Sequence, residues 1–255
     1  MIHPTAIIHP KAKIGSGCEV GPYCVIGENV ALGDKCKLHS HVVVDGHTTL
    51  GCGNEIFPFA SIGLKTQDLK WKGGVTRTEI GDGNTFREYV TIHSATGDGE
   101  VTRVGLHNTI LAYCHVAHNC ALGSRIIMSN VATLAGHVTV EDHAVIGGLA
   151  AVHQFCRIGK MAMIGGCSKV VQDVPPFMMA DGNPAETRTV NKTGMERNGV
   201  SDEAQVALRQ AYKILFREGL TVSNGIAKVE KELPSLPEVL HLIQFVRASE
   251  RGISK

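Results

Sequence analysis

An apolar residue recurs at every sixth position along the first two thirds of the chain. This spacing gives eleven consecutive apolar residues from Ile2 to Ile62 and twelve from Val104 to Val170. Neither the period of a helix, roughly 3.6 residues, nor that of a strand, about 2 residues, produces it alone. Such a strict short repeat is typical of one structural unit stacked many times, and it limits the possible folds more than any other feature of the sequence.

Three positions in phase lack an apolar residue, and they mark two insertions. Asp68 and Gly74 fall in a segment near 64–79 that is rich in Lys, Gly and Thr, and Asp98 falls in a segment near 94–103 that is rich in Gly and Asp. The phase returns after each segment. We therefore predict two loops inserted into one repeat domain over residues 1–176.

Each hexad has the composition of a short strand followed by a tight corner. A small residue often stands four positions after the apolar anchor, and Gly often follows the anchor directly. Three hexads would close one coil, and successive coils would stack as parallel strands about 4.8 Å apart. The pattern resembles the hexapeptide-repeat acyltransferases. That resemblance implies a left-handed parallel β-helix, a handedness that the repeat itself does not specify.

The periodicity changes after Val174-Pro175-Pro176, where the repeat is predicted to end because proline cannot join an interior ladder. Residues 177–255 are predicted to form a connector and a small C-terminal α-helical domain. We expect one helix after the N-cap Ser201, a second over 222–233, and a third that a capping box opens at 235–238.

Whole-chain properties exclude several classes of protein. The net charge of +1 gives no support for a nucleic-acid-binding surface. No signal peptide and no apolar run long enough for a membrane span are recognisable, so we expect a cytoplasmic protein. Six of the eight cysteines fall at the small inward position of the repeat, where we expect buried free thiols rather than disulfides or metal ligands.

The predicted coil brings distant polar residues together. His118, Gly136 and Gln154 follow one another at intervals of three hexads, and His137 and His153 are their neighbours, so these residues should lie along one edge of the helix. Imidazoles beside a glycine N–H suit proton transfer combined with oxyanion stabilisation. A solvated edge rich in histidine is the structural alternative. A metal site is disfavoured, because the H-x4-H pair of the β-helical carbonic anhydrases is absent.

Longer motifs narrow the resemblance. The segments YCHVAHNC (113–120), NVATLAGHV (130–138), GGLAAVHQF (147–155) and IGGCSKVVQDVPPF (164–177), together with TQDLKWKG (66–73), resemble the UDP-N-acetylglucosamine 3-O-acyltransferases, the first enzymes of lipid A biosynthesis. The match covers nearly the whole chain. It implies transfer of an (R)-3-hydroxyacyl group from the phosphopantetheine thioester of acyl carrier protein to the sugar 3-hydroxyl, by a homotrimer with no further cofactor and no metal.

The resemblance also implies roles for individual residues. His118 takes the place of the general base, and Gly136 takes the place of the residue whose N–H holds the oxyanion. Gly166 takes the place of the residue that limits acyl chain length. The remaining matched positions are implied to bind the sugar, the acyl chain or the nucleotide: Gln67, Asp68, Lys70, His93, His115, His137, His153, Gln154, Asn191 and Arg197. In the family a neighbouring subunit forms the second wall of the cleft, and we expect His93 and the first loop to lie across it.

Two departures from the family pattern and several alternatives stay open. Asn119 follows the base where some members carry Asp, and an amide cannot offset imidazolium charge. Pro184 stands where some relatives carry His. The acceptor could carry a 3-amino instead of a 3-hydroxyl group. The rival functions are the N-acyltransferase that acts later in the same pathway, which has an extra N-terminal domain, and a non-catalytic scaffold that binds acyl carrier protein.

Overall fold

The computed structural model describes residues 1–255 and consists of a β-helix with a helical domain at its C-terminal end. Three parallel sheets form the sides of the β-helix, and the chain visits them in turn. Sheet 1 contains β1 (Ile7–Ile8), β4 (Val25–Ile26), β7 (Val43–Val44), β10 (Ser61–Leu64), β13 (Thr91–His93), β16 (His115–Val116), β19 (Thr133–Leu134), β22 (Ala151–Val152) and β25 (Lys169–Val170). Sheet 2 contains β2 (Lys13–Ile14), β5 (Ala31–Leu32), β8 (His47–Leu50), β11 (Arg77–Ile80), β14 (Val101–Val104), β17 (Ala121–Leu122), β20 (Thr139–Val140) and β23 (Arg157–Ile158). Sheet 3 contains β3 (Glu19–Val20), β6 (Lys37–Leu38), β9 (Glu55–Ile56), β12 (Thr85–Phe86), β15 (Thr109–Ile110), β18 (Ile127–Met128), β21 (Val145–Ile146), β24 (Met163–Ile164), β26 (Met178–Gly182) and β27 (Ala185–Val190).

The strand register confirms the predicted coil of three hexads. His115 pairs with Thr133, and Thr133 pairs with Ala151, so each partner lies three hexads further along the chain. The apolar anchors from Ile8 onward point inward and form one continuous core with the small inward residues, whereas Ile2 at the open end is exposed. Six cysteines are buried there as free thiols, and Cys52 and Cys167 are exposed.

Two loops interrupt the regular coils near the predicted insertions, and both lie at the same corner of the β-helix. Sheet 1 pairing steps by five hexads from Ser61 to Thr91 and by four hexads from Thr91 to His115, instead of by three. The extra residues form loops between β10 and β11 and between β13 and β14. Both insertions are whole numbers of hexads, which is why the apolar phase returns. We call this corner, where sheet 1 turns into sheet 2, the 1–2 corner.

Asparagine replaces the small inward residue in three adjacent coils, a substitution that the sequence pattern did not anticipate. Asn54, Asn84 and Asn108 are buried, and each side-chain oxygen accepts from a backbone N–H of the next coil at 2.7–3.0 Å. Because every one of these side-chain amides has hydrogen-bond partners, burying the three asparagines costs little desolvation free energy.

The β-helix continues beyond the proline pair at which it was predicted to end. Pro175 and Pro176 occupy a corner rather than a ladder position, and β26 then joins β24 in parallel before β27 returns antiparallel to it. Ala180 and Ala185 belong to the main core. The last strand of the sheet therefore ends at Val190.

Four helices complete the chain: α1 (Lys192–Arg197), α2 (Asp202–Phe216), α3 (Val222–Glu232) and α4 (Pro237–Arg247). The side chain of Ser201 caps α2, as predicted. The predicted capping box before α4 is wrong, because Leu236 is the N-cap residue and no side chain caps this helix. Helix α1 was not predicted. No helix combines the length and the apolar character that crossing a bilayer requires.

Candidate active site

His118 lies at the 1–2 corner, directly after β16. Its anchor Val116 is fully buried and fixes the corner, and the imidazole leaves the core toward the outside with 15% of the side chain exposed. His118 Nδ1 lies 3.0 Å from the side-chain oxygen of Asn119. Asn119 has a positive φ of 61°, a conformation that asparagine tolerates better than most residues.

Gly136 stacks directly on His118 in the next coil, as the repeat predicted. A Cβ atom at Gly136 would lie 2.4 Å from His118 Cε1 and 2.5 Å from Nε2, so only glycine leaves room for this ring. The Gly136 N–H has no acceptor within the chain. At other corners a side chain accepts from the equivalent N–H, as Asp142 does from Ser124 at 2.7 Å. A free donor therefore lies beside a histidine ring.

The first inserted loop folds over the same ring. Asp68 Oδ2 lies 3.7 Å from His118 Nε2, and 21% of the Asp68 side chain is exposed. Lys70 and Gln67 are exposed on the same loop, and Lys70 donates its backbone N–H to Asp68 Oδ1. Within one chain this loop and His93 both lie beside their own His118, and the expectation that a neighbouring subunit brings its copies across the cleft stays a prediction.

His93 and His115 form an uncharged pair next to His118. Their rings meet edge to face with centroids 5.2 Å apart, and His93 is buried. Burial, and then the neighbouring His93 and His118, lower the pKa of His115 to about 4. Burial, and then His118, also lower the pKa of His93. Thr91 Oγ1 hydrogen bonds to His115 Nδ1 at 2.7 Å. At neutral pH these rings can offer hydrogen bonds but no charge.

His137 also contacts His118, and we call His93, His115, His118 and His137 the His118 group. His153 and Gln154 lie at its border. The His137 ring meets His118 edge to face at 5.3 Å and stacks on Phe155 at 4.6 Å. Burial lowers its pKa, followed by the charge of His118. His153 and Gln154 are exposed, and neither side chain hydrogen bonds to the His118 group.

Two family models match the chain. The model described as UDP N-acetylglucosamine O-acyltransferase, domain 2, matches residues 173–254, and the model described as bacterial transferase hexapeptide (six repeats) matches residues 11–46.

Solved structures match the chain from end to end. LpxA from Acinetobacter baumannii is 46% identical with a TM-score of 0.96, over 100% of this chain and 99% of that one. LpxA from Bacteroides fragilis, a UDP-N-acetylglucosamine acyltransferase, is 40% identical with a TM-score of 0.98, over 100% of both chains. UDP-N-acetylglucosamine O-acyltransferase (LpxA) from Moraxella catarrhalis is 41% identical with a TM-score of 0.95, over 100% of this chain and 99% of that one.

The chain belongs to the UDP-N-acetylglucosamine acyltransferase family. It is therefore an acyltransferase, and its fold is the left-handed β-helix with a C-terminal helical domain that was predicted from the repeat and the resemblance.

Asn191 and Arg197 lie at the two ends of α1 in this acyltransferase. The Asn191 side chain is buried, accepts from the Gly194 N–H and donates to Met161 O at 2.8 Å, so both of its polar atoms are engaged. Arg197 is exposed and forms no ion pair. No hydrogen bond or ion pair joins either residue to the His118 group within the chain, and their contact with the nucleotide stays a prediction.

Gly166 lies at a different corner, where sheet 3 turns into sheet 1. A Cβ atom there would meet only Gly148 O, at 3.3 Å, so the space outside Gly166 is open. No group of three His, Cys, Asp or Glu side chains is arranged to hold a metal ion.

The low pKa of His115 predicts weaker folding in acid. Below the unfolded value of about 6.5 the unfolded chain takes up this proton first, so stability falls from there until the pH reaches the folded value. Converting the whole pKa shift into free energy of unfolding gives about 3 kcal/mol. Because the ring is partly exposed to solvent, we expect a smaller loss of stability, about 1 kcal/mol. His115→Gln should lack this loss. Urea unfolding at pH 7.0 and 4.5, at one protein concentration, measures it, and His9→Gln is the control. An equal acid loss in His115→Gln and the wild type would contradict the assignment.

Proposed function

We propose that this acyltransferase moves an (R)-3-hydroxyacyl group from acyl carrier protein to the 3-hydroxyl of UDP-N-acetylglucosamine, the first step of lipid A biosynthesis. The observation that carries the proposal is the position of His118 Nε2 beside the free N–H of Gly136. A base and an oxyanion donor side by side are what attack of a hydroxyl on a thioester requires.

The reaction then needs no covalent enzyme intermediate. His118 Nε2 removes the proton from the sugar hydroxyl while the oxygen attacks the thioester carbon. The Gly136 N–H donates to the oxyanion of the tetrahedral intermediate. The C–S bond breaks, and protonated His118 returns its proton to the phosphopantetheine thiolate. Asp68, 3.7 Å from Nε2, is close enough to favour the imidazolium while it exists.

The exposed cleft supports the proposal of a homotrimer. Half-buried His137 and exposed His153 and Gln154 leave one side of the site open to solvent in a single chain. The acyl chain and the nucleotide need a second wall, which we assign to a neighbouring subunit. That subunit would also bring an α1 helix, with its unpaired Arg197, within reach of the nucleotide phosphates.

One incubation tests the function. The enzyme is mixed with several 3-hydroxyacyl carrier proteins of different acyl length, together with UDP-N-acetylglucosamine and its 3-amino analogue, and the products are identified by mass spectrometry. We expect the 3-O-ester. An amide formed on the 3-amino sugar alone would mean that the natural acceptor carries a 3-amino group. Binding of acyl carrier protein without any acylated sugar would favour the alternative of a non-catalytic scaffold.

Filling the space at Gly166 should shorten the acyl group that the enzyme prefers. In Gly166→Met the added side chain would occupy the open region outside this corner, where the end of a long chain is proposed to lie. Each methylene of a long acyl chain that can no longer be buried costs about 0.8 kcal/mol. Displacing two to three of them should reverse the preference for the longer over the shorter donor by roughly 10- to 50-fold. Competition between donors of two lengths measures it. Cys167→Met, at the next and exposed position, is the control. An unchanged product distribution in Gly166→Met would remove Gly166 from this role.

A further inference from the structure

We propose that Glu100 is a positioning residue for the base: through the amide of Asn119, its carboxylate holds the proton on His118 Nδ1 and leaves Nε2 free to act. The inference rests on the proposed role of His118. Glu100 lies at the end of the second inserted loop, three hexads and therefore one coil before His118, and no motif singled it out.

The amide of Asn119 connects the carboxylate to the ring. Asn119 Nδ2 donates to Glu100 Oε2 at 2.7 Å, and the Asn119 side-chain oxygen lies 3.0 Å from His118 Nδ1. The Thr96 N–H donates to the same Asn119 oxygen at 3.0 Å. The backbone of Asn119 is held as well, because its N–H donates to Thr102 Oγ1 at 2.8 Å.

These contacts determine the orientation of the amide and hence the tautomer of the ring. The Thr96 N–H can only donate, and an ionised carboxylate can only accept. Oδ1 must therefore face Thr96, and Nδ2 must face Glu100. His118 Nδ1 consequently faces an acceptor and carries the proton of the neutral ring. The reversed amide would place two donors together at Thr96 and two acceptors together at Glu100.

The carboxylate also supplies the charge that Asn119 lacks. The hydrogen bond from Asn119, followed by one from the Gly97 N–H, lowers the pKa of Glu100, so it is ionised whenever the enzyme works near neutral pH. When His118 takes up a proton, Glu100 lies one side chain away from the new positive charge. The other groups that face His118 are Asp68, His93, His115 and His137, with Lys70 near His137. Asp68 lies on the Nε2 side, so Glu100 is the carboxylate connected to Nδ1.

Exchange of the two side chains separates this role from simple support of the loop. Glu100→Gln removes the charge but keeps an acceptor, and kcat should fall about 3- to 10-fold with KM nearly unchanged. Asn119→Asp alone places two carboxylates 2.7 Å apart and should lose more. Glu100→Gln combined with Asn119→Asp restores a donor facing an acceptor, and it should recover most of the activity that Asn119→Asp loses. Losses that simply multiply in the double variant would overturn the proposal.

A spectroscopic measurement on the resting enzyme is independent of turnover. The 15N shifts of the His118 ring, assigned by comparison with His118→Ala, should show a protonated Nδ1 in the wild type and a mixture of tautomers in Glu100→Ala. Asp98→Asn is the loop control, because Asp98 accepts from the Val75 N–H and does not contact Asn119. An unchanged tautomer in Glu100→Ala, or an equal change in Asp98→Asn, would sink the idea. If the tautomer changes in Glu100→Ala but the enzyme shows no acyltransferase activity, the positioning role of Glu100 is supported and the proposed function is rejected.

Discussion

His118→Ala should lose about 10²- to 10⁴-fold in turnover while keeping its fold and subunit number, because a positioned general base contributes about that factor. The loss should appear in kcat and in kcat/KM alike, since the ring acts on the proton that is transferred in the transition state and does not contribute to binding the sugar. The side chain is 15% exposed and outside the apolar core, so the melting temperature should stay within about 3 °C of the wild type.

A steady-state assay with acyl carrier protein as donor measures the effect, and gel filtration verifies assembly. His9→Ala is a matched control, because His9 also follows an apolar anchor of sheet 1 but lies at the first coil. His9→Ala should turn over like the wild type. Near-normal turnover in His118→Ala would exclude this residue as the base, and an equal loss in both variants would indicate general damage.

The repeat alone was sufficient to place the core of the site. Because three hexads make one coil, His118 and Gly136 had to stack, and the structure brings the ring against the glycine Cα. This succeeds because a parallel ladder has a fixed rise and register, so sequence distance converts directly into spatial distance. The same reasoning placed His137 beside His118.

The inserted loops mark the limit of that reasoning. Asp68 has no register with the coils, so its contact with the His118 group depends on tertiary packing that no period encodes. Glu100, in contrast, precedes His118 by the three hexads of one coil, so the period could have placed it beside the ring. One signal was available: both insertions follow sheet 1 anchors, at Ile62 and Ile92, and so leave the β-helix at the corner that carries His118. An asparagine beside a base was a second signal, since it raises the question of which group supplies the missing charge.

The C-terminal end shows a different kind of failure. Proline was taken as the end of the sheet, yet it is excluded only from ladder positions, and Pro175 and Pro176 lie at a corner where no ladder hydrogen bond is needed. The capping box at Ser235 matched a local motif, but Leu236 is the N-cap residue and Pro237 is the first residue of the helix. Local signals identify an end of an element less reliably than a repeat identifies its interior.

Gly136→Ala should reduce turnover by about 10²-fold through displacement of the base. The new Cβ would lie 2.4–2.5 Å from Cε1 and Nε2 of His118, and normal contact requires the ring to move by about 1 Å. A misplacement of that size at a reacting group is enough for such a loss. Gly136 has no positive φ, so alanine fits the backbone there, and the effect should be on position rather than on folding. The backbone N–H that is proposed to hold the oxyanion remains in the variant.

A double-mutant cycle identifies the cause. If alanine acts by displacing the ring, His118→Ala combined with Gly136→Ala should be no slower than His118→Ala alone, because the group that is displaced is already absent. The 15N shifts of His118 should also change in Gly136→Ala, which shows that the ring has left its place against Asn119. Full multiplication of the two losses would mean that the methyl group obstructs the substrate independently of His118. In that case the reason for glycine at this position would be access to its N–H and not room for the base.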